Sequence, residues 1–244
     1  MNVNIVIPCA GSGSRFLRAG YNTPKPFIDI FGKPMIIHVI ENLSLNNARF
    51  IFIVRNEHTQ MIKKQIKKIH KLKNAIVQPI DHITEGAACT VLHVRKFINN
   101  NDPTIIANSD QIIDIRFHNF VNDCMDKNLD GSIMTFKDLQ KNPKWSFVKL
   151  GSDGLVKNVR EKVPISDLAT VGIYMFSKGK DFVDAAIDMI IHNERVNNEF
   201  YVCPVYNYAI KNGKKIGIFD IPNHHMHCLG TPEDLKKYTN LMAK

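Results

Sequence analysis

A small-residue loop near the start of the chain has the composition of a phosphate-binding loop. Gly11 and Gly13 alternate with Ser12 and Ser14 shortly after residues 3–7, a short apolar run rich in β-branched residues. Without a Cβ, each glycine lets backbone N–H groups come close to a ligand, and the serines add hydroxyl donors. The apolar run predicts a buried strand that gives the loop a rigid base. Together these features predict phosphate binding.

Three basic side chains follow the loop, at Arg15, Arg18 and Lys25. They can neutralise the charge of a triphosphate, arginine as a planar fork and lysine as a point charge. Two familiar phosphate loops are excluded by inspection. The dinucleotide fingerprint requires a third glycine where Phe16 stands, and the P-loop requires a Gly-Lys-Ser/Thr sequence that the chain lacks.

One carboxylate, Asp110, comes after another apolar run, residues 104–107, and directly follows Asn108 and Ser109. The carboxyl ends of strands form the ligand crevice of an open α/β sheet, so this side chain is expected to face the ligand. A triphosphate binds together with Mg²⁺, which takes one or two protein carboxylates and phosphate oxygens. Asp110 is therefore the candidate magnesium ligand.

The elements that must position these residues alternate in the first half of the chain. Apolar runs predict strands at residues 3–7, 50–54, 75–77, 104–107 and 131–136, and periodic apolar segments predict helices at 34–43, 58–71, 86–97 and 116–129. This alternation predicts an α/β fold whose sheet is mixed and mostly parallel, with helices on both faces.

The second half changes character. Strands are predicted at residues 145–150, 155–159, 168–176 and 215–219, and helices at 182–192, at 202–211 and from 233, where Thr231 is the expected cap. A turn at Ser152-Asp153-Gly154 makes the first two strands a hairpin. No linker or repeat interrupts the chain, so we expect one domain over residues 1–244, with a nucleotide-binding half at about 1–136 and an acceptor-binding half at about 137–244.

Composition bounds the class of protein. With 244 residues, 44% of them hydrophobic, the chain can bury a sizeable core, and no apolar run is long enough to cross a membrane. The net charge of +9 raises a nucleic-acid hypothesis. However, the densest basic run lies on the predicted helix 58–71 and has no aromatic residues to stack bases, so we expect no nucleic-acid partner. That run comprises Lys63, Lys64, Lys67, Lys68, Lys71 and Lys73.

The cysteines indicate the compartment. There are five, Cys9, Cys89, Cys124, Cys203 and Cys228, and they form neither a disulfide framework nor a paired zinc pattern. We therefore expect a reducing cytoplasm. The first residues lack the basic region of a signal peptide.

The loop and its downstream lysine resemble the signature of the sugar-phosphate nucleotidylyltransferases. That signature reads Ala-Ala-Gly-x-Gly-Thr/Ser-Arg-Leu and is followed by Pro-Lys-Pro. The matching residues are Cys9, Ala10, Gly11, Gly13, Ser14, Arg15, Phe16, Pro24, Lys25 and Pro26. The resemblance implies a single-domain, three-layer Rossmann-like fold, the nucleotide-diphospho-sugar transferase fold. It also implies that residues 10–14 bind the nucleotide and that Arg15 and Lys25 are catalytic.

Further segments match the family in the same order. Gln78-Pro79 and the later Gly86-Ala87 resemble its base-reading segment, so Gln78, Gly86 and Ala87 are implied to bind the base, with the glycine admitting the base ring. Glu161-Lys162 resembles its acceptor segment, in which the lysine contacts the acceptor phosphate as a catalytic residue and the glutamate contacts hydroxyls. Gly172 and Glu199 match two later acceptor-facing positions.

One departure concerns the metal. The family holds Mg²⁺ with an aspartate at the position of Asp110 and with a second aspartate in Trp-x-Asp-x-Gly-Thr. Here Cys228 stands in the second place, and cysteine is a poor Mg²⁺ ligand. His224, His225 and His227 with Cys228 suggest a soft-metal site, although surface histidines at a strand edge are the favoured interpretation.

The predicted function is nucleotidyl transfer from a nucleoside triphosphate to a phosphomonoester acceptor, for surface-polysaccharide precursors, with Mg²⁺ as cofactor. The acceptor is a sugar 1-phosphate or, alternatively, phosphocholine or a phosphorylated amino acid. One Gln78 amide can pair with any pyrimidine by rotating, so pyrimidines are favoured, CTP slightly over dTTP and UTP. A glycosyltransferase, which usually needs Asp-x-Asp, and a non-catalytic nucleotide-binding module remain as alternatives, and a homo-oligomer is left open.

Overall fold

Strands and helices alternate along the first half of the chain, as predicted. The structure is a computed structural model that describes residues 2–67, 72 and 75–243. The strands are β1 (Val3–Pro8), β2 (Asp29–Ile30), β3 (Lys33–Pro34), β4 (Ala48–Arg55), β5 (Ile76–Ile80), β6 (Thr104–Ala107), β7 (Gln111–Ile113), β8 (Gly131–Lys137), β9 (Ser146–Leu150), β10 (Val156–Glu161), β11 (Leu168–Phe176), β12 (Ile216–Ile221) and β13 (Met226–Cys228). The helices are α1 (Ser14–Arg18), α2 (Met35–Asn42), α3 (Thr59–Ile66), α4 (Ala87–Leu92), α5 (Arg95–Ile98), α6 (Phe117–Asp126), α7 (Gly179–Ile191), α8 (Val205–Lys211) and α9 (Pro232–Met242).

The main sheet is mixed. Strands β6, β1, β4 and β5 lie side by side and run parallel, and β12 pairs in parallel with β8. Strand β11 is antiparallel to its neighbours β6, β8 and β9 and joins the two halves into one sheet. The β9–β10 hairpin pairs with β11 only through Phe147 and Ala169. Ala169 lies beyond the part of β11 that pairs with β6, so the hairpin lies past the carboxyl end of β6. We call the edge formed by the carboxyl ends of β1, β4 and β6 the carboxyl edge.

Helices cover both faces of this sheet, which confirms the three-layer architecture. Buried residues of α2, α3 and α6 pack in one core against residues such as Ile5 and Phe52. Buried residues of α4, α5, α7 and α8 pack in a second core on the opposite face, against residues such as Val6 and Ile51. Successive strand residues point to opposite faces, so the unbroken apolar run of β1 fills both cores.

A third core lies outside these two layers and supports the glycine loop. Its buried members come from α1, β2, α2, β7, α9 and adjoining segments: Phe16, Ile28, Ile30, Met35, Ile112, Leu229, Leu235 and Tyr238. The two short strands β7 and β13 pair antiparallel next to it, Gln111 opposite Cys228. Neither strand was predicted with bounds, because three residues are too few to show a period.

Other boundaries differ for local reasons. The helix predicted at 86–97 is two helices, since His93 and Val94 donate to carbonyls three residues back, at Thr90 and Val91, and turn the chain. The strand predicted at 75–77 continues through Pro79, which is tolerated because β5 is at the edge of the sheet. The helix predicted from residue 202 begins at Val205.

The basic run is described in part. Lys63, Lys64 and Lys67 are exposed, as expected of a solvated helix face, whereas Lys68, Lys71 and Lys73 lie outside the described residues. Within the described part of the chain, no helix is long and apolar enough to span a membrane. All five cysteines have free thiols.

Candidate functional site

The glycine loop leaves the carboxyl edge at the centre of the parallel strands. The Cys9 N–H donates to the Ile53 carbonyl of β4 at 2.7 Å, which holds the start of the loop against the sheet. Gly13 has left-handed backbone angles, φ 63° and ψ 24°, and caps α1. Phe16, 1% exposed, anchors that helix in the third core. The loop is therefore held at both ends.

Backbone donors along this loop are available to a ligand. In the described parts of the chain, no backbone carbonyl accepts a hydrogen bond from the N–H groups of Gly11, Ser12 or Gly13. Gly11 and Ser12 are exposed, and so is Arg15 in the first turn of α1. A run of free N–H groups beside a cation is the arrangement that binds phosphate oxygens.

Lys25 and Asp110 meet beneath the loop, although 85 residues separate them in the chain. The Lys25 ammonium forms an ion pair with Oδ2 of Asp110, and the two side chains are 17% and 14% exposed. A Cβ placed on Gly13 would lie 3.4 Å from the Cβ of Lys25, so the loop packs directly on this lysine. The predicted phosphate cation and the predicted metal ligand therefore share one site.

Cys228 lies beside the same carboxylate. Strand β13 carries it there, since the Leu229 N–H donates to the Asp110 carbonyl at 2.8 Å and Gln111 Nε2 lies 3.6 Å from the Cys228 sulfur. Burial, together with the negative charge of Asp110, raises the pKa of the Cys228 thiol to about 12. The thiol is therefore protonated at neutral pH, and cysteine sulfur is a poor ligand for Mg²⁺.

The geometry does not favour the soft-metal alternative. Nε2 of His227 contacts Asp114 Oδ2 at 2.6 Å, and the His224 and His225 rings pack on each other with centroids 4.3 Å apart. Within residues 2–67, 72 and 75–243, no three His, Cys, Asp or Glu side chains lie close enough together to hold a metal ion. Asp110 alone suits a Mg²⁺ ion that arrives with a triphosphate, because phosphate oxygens supply further ligands.

The base-reading segment lies at the outer edge of the parallel strands. Gln78 pairs with Ile53, which pairs with Pro8, so this side chain stands level with the end of β1. Its Nε2 donates to the Pro79 carbonyl at 3.0 Å. The amide is therefore at the carboxyl edge, with one donor directed to its own strand.

Gly86 has a structural reason to be glycine that the sequence did not reveal. Its φ is 125°, and an added Cβ would lie 2.4 Å from the carbonyl oxygen and 2.5 Å from the nitrogen of Phe200. The Phe200 N–H donates to the Glu85 carbonyl at 2.7 Å, and the Ala88 N–H donates to the Phe200 carbonyl at 3.0 Å. The space that we expected to admit a base ring is filled by this backbone, with Ala87 at the start of α4.

Gly172 shows the same kind of contact. Its φ is 89°, and a Cβ there would lie 2.3 Å from Nδ2 of Asn108, where we expected the acceptor to enter. The Asn108 N–H also donates to the Gly172 carbonyl at 2.9 Å. Asn108 therefore packs against β11, which ties the second half of the chain to the segment that carries Asp110. Its amide is not arranged as the first member of an Asp-x-Asp pair.

The predicted acceptor segment lies at the open end of the β9–β10 hairpin, where Glu161 pairs with Ser146. Glu161 is 7% exposed, and its carboxylate accepts a hydrogen bond from the Ser146 hydroxyl. Burial raises the pKa of Glu161, and the nearby negative charge of exposed Glu199 adds to the effect. Lys162 has a left-handed φ of 58°, and its Nζ donates to the Tyr201 hydroxyl oxygen at 2.6 Å. The sequence analysis assigned no role to Ser146 or Tyr201.

Comparison with known proteins agrees with this arrangement. The family model described as "Nucleotidyl transferase" matches residues 5–216. Among relatives, the chain is 26% identical over 177 residues to a mannose-1-phosphate guanylyltransferase catalytic subunit beta of Drosophila pseudoobscura pseudoobscura, covering 70% of this chain and 47% of that protein. It is 26% identical over 251 residues to the bifunctional protein GlmU of Methanococcus vannielii, covering 99% of this chain and 55% of that protein. The chain thus spans about half the length of these relatives.

A solved structure covers the whole fold. The nucleoside-diphosphate-sugar pyrophosphorylase of Vibrio cholerae superposes with a TM-score of 0.82 and 26% identity, over 97% of this chain and 99% of that one. The residues matched by the family model include the glycine loop, Lys25, Asp110 and Lys162. With the motifs, the fold and the family model in agreement, this chain belongs to the nucleotidyl transferase family.

Proposed function

We propose that this chain transfers a nucleotidyl group from a nucleoside triphosphate to a phosphomonoester acceptor and releases pyrophosphate. The observation that carries the proposal is the ion pair of Lys25 with Asp110 beneath the free N–H groups of the glycine loop. Each side chain of the pair carries a charge opposite to that of one part of a magnesium nucleotide, the phosphates or the metal. The ammonium suits phosphate oxygens, and the carboxylate suits the metal.

In the proposed reaction an oxygen of the acceptor phosphate attacks the α-phosphorus in line. The new P–O bond forms as the bond to the β-phosphate oxygen breaks, and pyrophosphate leaves. The attacking oxygen is already anionic, so no general base is needed. Catalysis then consists of positioning and charge neutralisation.

We assign residues to these tasks as follows. Ala10, Gly11, Ser12, Gly13 and Ser14 bind the triphosphate through the loop, and Arg15 and Lys25 neutralise the charge that develops on the leaving pyrophosphate. Asp110 would hold Mg²⁺, which when bound neutralises phosphate charge. Cys228 contributes no ligand.

On the acceptor side, Lys162 binds the phosphate of the acceptor, and Glu161 and Glu199 face the hydroxyl groups of the acceptor. Gly172 shapes this half of the site through Asn108. In this proposal the first half of the chain, about residues 1–136, binds the nucleotide, and the second half, about residues 137–244, binds the acceptor.

We further propose that the base is a pyrimidine, with CTP slightly favoured, and that the Gln78 side chain and the backbone at Gly86 and Ala87 bind it. The Gln78 amide can pair with any pyrimidine by rotating. The acceptor is a sugar 1-phosphate or a non-sugar phosphomonoester such as phosphocholine, used to build surface-polysaccharide precursors. Five free thiols fit a cytoplasmic enzyme.

One assay tests these proposals together. Pyrophosphate release is measured for each of the four nucleoside triphosphates against sugar 1-phosphates, phosphocholine and phosphoserine, with Mg²⁺ present. Lys25→Ala, purified in the same way, controls for contaminating activity. We expect release with at least one pair that the control lacks. Turnover of ATP or GTP alone would contradict the pyrimidine assignment, and no release with any pair would contradict the proposed function.

A further inference from the structure

Lys162 and Tyr201 form a hydrogen-bonded pair that leaves further donors on both side chains. Lys162 Nζ donates to the Tyr201 hydroxyl oxygen at 2.6 Å and lies 4.6 Å from the ring centroid. An ammonium can only donate, so the phenol oxygen is the acceptor and the phenolic hydrogen is left for another partner. Burial raises the pKa of Tyr201, so that hydrogen is retained at neutral pH.

The pair therefore presents one positive charge and has hydrogen-bond donors on both Lys162 Nζ and the Tyr201 hydroxyl oxygen, which lie 2.6 Å apart. Lys162 has two further N–H donors, and Tyr201 has its O–H. Both side chains are only partly buried, so a ligand can reach them. A tetrahedral oxyanion such as phosphate has the charge and the several acceptor oxygens that this arrangement requires.

The loop before Tyr201 is tied to the nucleotide half, which fixes the position of the phenol. Arg195 donates to Glu85 Oε2 at 2.8 Å, and its guanidinium carbon lies 4.2 Å from the ring centroid of Phe200. Phe200 is 1% exposed and makes the two backbone hydrogen bonds to Glu85 and Ala88 that surround Gly86. Tyr201 follows directly, so its backbone is held at one end by the nucleotide half of the site.

We propose that Tyr201 is a further acceptor-binding residue, whose hydroxyl and the Lys162 ammonium together bind the phosphate of the acceptor. This inference rests on the proposed function, because it specifies how the second substrate is held. It adds a donor to which the sequence motifs assigned no role.

The test is Tyr201→Phe, which keeps the ring beneath Lys162 and removes only the hydroxyl. A hydrogen bond to a charged partner accounts for a change of about 10-fold or more in affinity. We therefore expect the acceptor KM to rise about 10-fold while the nucleoside triphosphate KM stays within about 2-fold. Tyr208→Phe is the matched control. It removes a hydroxyl from a tyrosine of α8 that is 5% exposed and packs in the second core, and it should change neither KM.

Unchanged acceptor KM in an active Tyr201→Phe protein would overturn the proposal and leave the proposed function intact. An equal rise in both KM values would also overturn it, because that pattern indicates a general structural defect. Should the wild-type protein release no pyrophosphate with any pair, calorimetric titration with inorganic phosphate still tests the site. We expect Tyr201→Phe to weaken phosphate binding about 10-fold relative to wild type, and equal affinities would refute the two-donor site.

Discussion

Gly86→Ala should be one of the more damaging single-methyl substitutions in this chain, because two costs combine there. The backbone has φ 125° and ψ 171°, a region almost confined to glycine, where another residue costs about 1–3 kcal/mol. The new Cβ would also lie 2.4 Å from the Phe200 carbonyl oxygen. Relieving that overlap moves the Phe200 backbone away from Glu85 and Ala88 and loses two backbone hydrogen bonds, each worth about 1 kcal/mol. We therefore expect a loss of about 3–5 kcal/mol.

Gly213→Ala separates the two costs. Gly213 also has a left-handed φ, 77°, but nothing lies within 4 Å of the place that an added Cβ would take, so only backbone strain of about 1–2 kcal/mol is expected. In a chain of this size each kcal/mol lowers Tm by about 2–4 °C. By calorimetry, Gly86→Ala should melt about 10 °C below wild type and Gly213→Ala about 4 °C below. Equal shifts in the two variants would refute the argument that contact with Phe200 requires the glycine.

Three further predictions concern the site. Lys25→Ala should lower kcat by about 10²-fold or more, because the lost charge acts on the leaving group; a change confined to the triphosphate KM would show a simple binding contact. Asp110→Asn should abolish the Mg²⁺-dependent rate in a metal titration, whereas Cys228→Ala should retain it and Cys228→Asp should lower the Mg²⁺ concentration needed for half-maximal rate. Loss of activity in Cys228→Ala, with zinc in the purified protein, would restore the soft-metal hypothesis. Gln78→Glu replaces the amide NH₂ group with a carboxylate oxygen and so removes the donor. If the side-chain oxygen accepts from the cytosine amino group, kcat/KM should fall less for CTP than for UTP. Equal falls would argue against that contact.

Local sequence was sufficient to predict the glycine loop after β1 and the order of most elements. Gly11, Gly13 and the apolar run before them specify a strand followed by a loop of backbone donors, which depends on neighbouring residues alone. The helices and strands of the first half follow for the same reason, since their periods are visible within each segment. The family signature extended this information to Lys25, Asp110 and Lys162.

Tertiary structure decided which of these residues meet. The ion pair of Lys25 with Asp110 and the approach of Cys228 depend on β7 and β13, which are too short to be recognised in sequence and exist because they pair with each other. The contacts of Gly86 with Phe200 and of Gly172 with Asn108 join segments far apart in the chain. The bond from Lys162 to Tyr201 has the same origin, since 39 residues separate its partners. Such contacts depend on the packing of the whole sheet, and no local pattern encodes them.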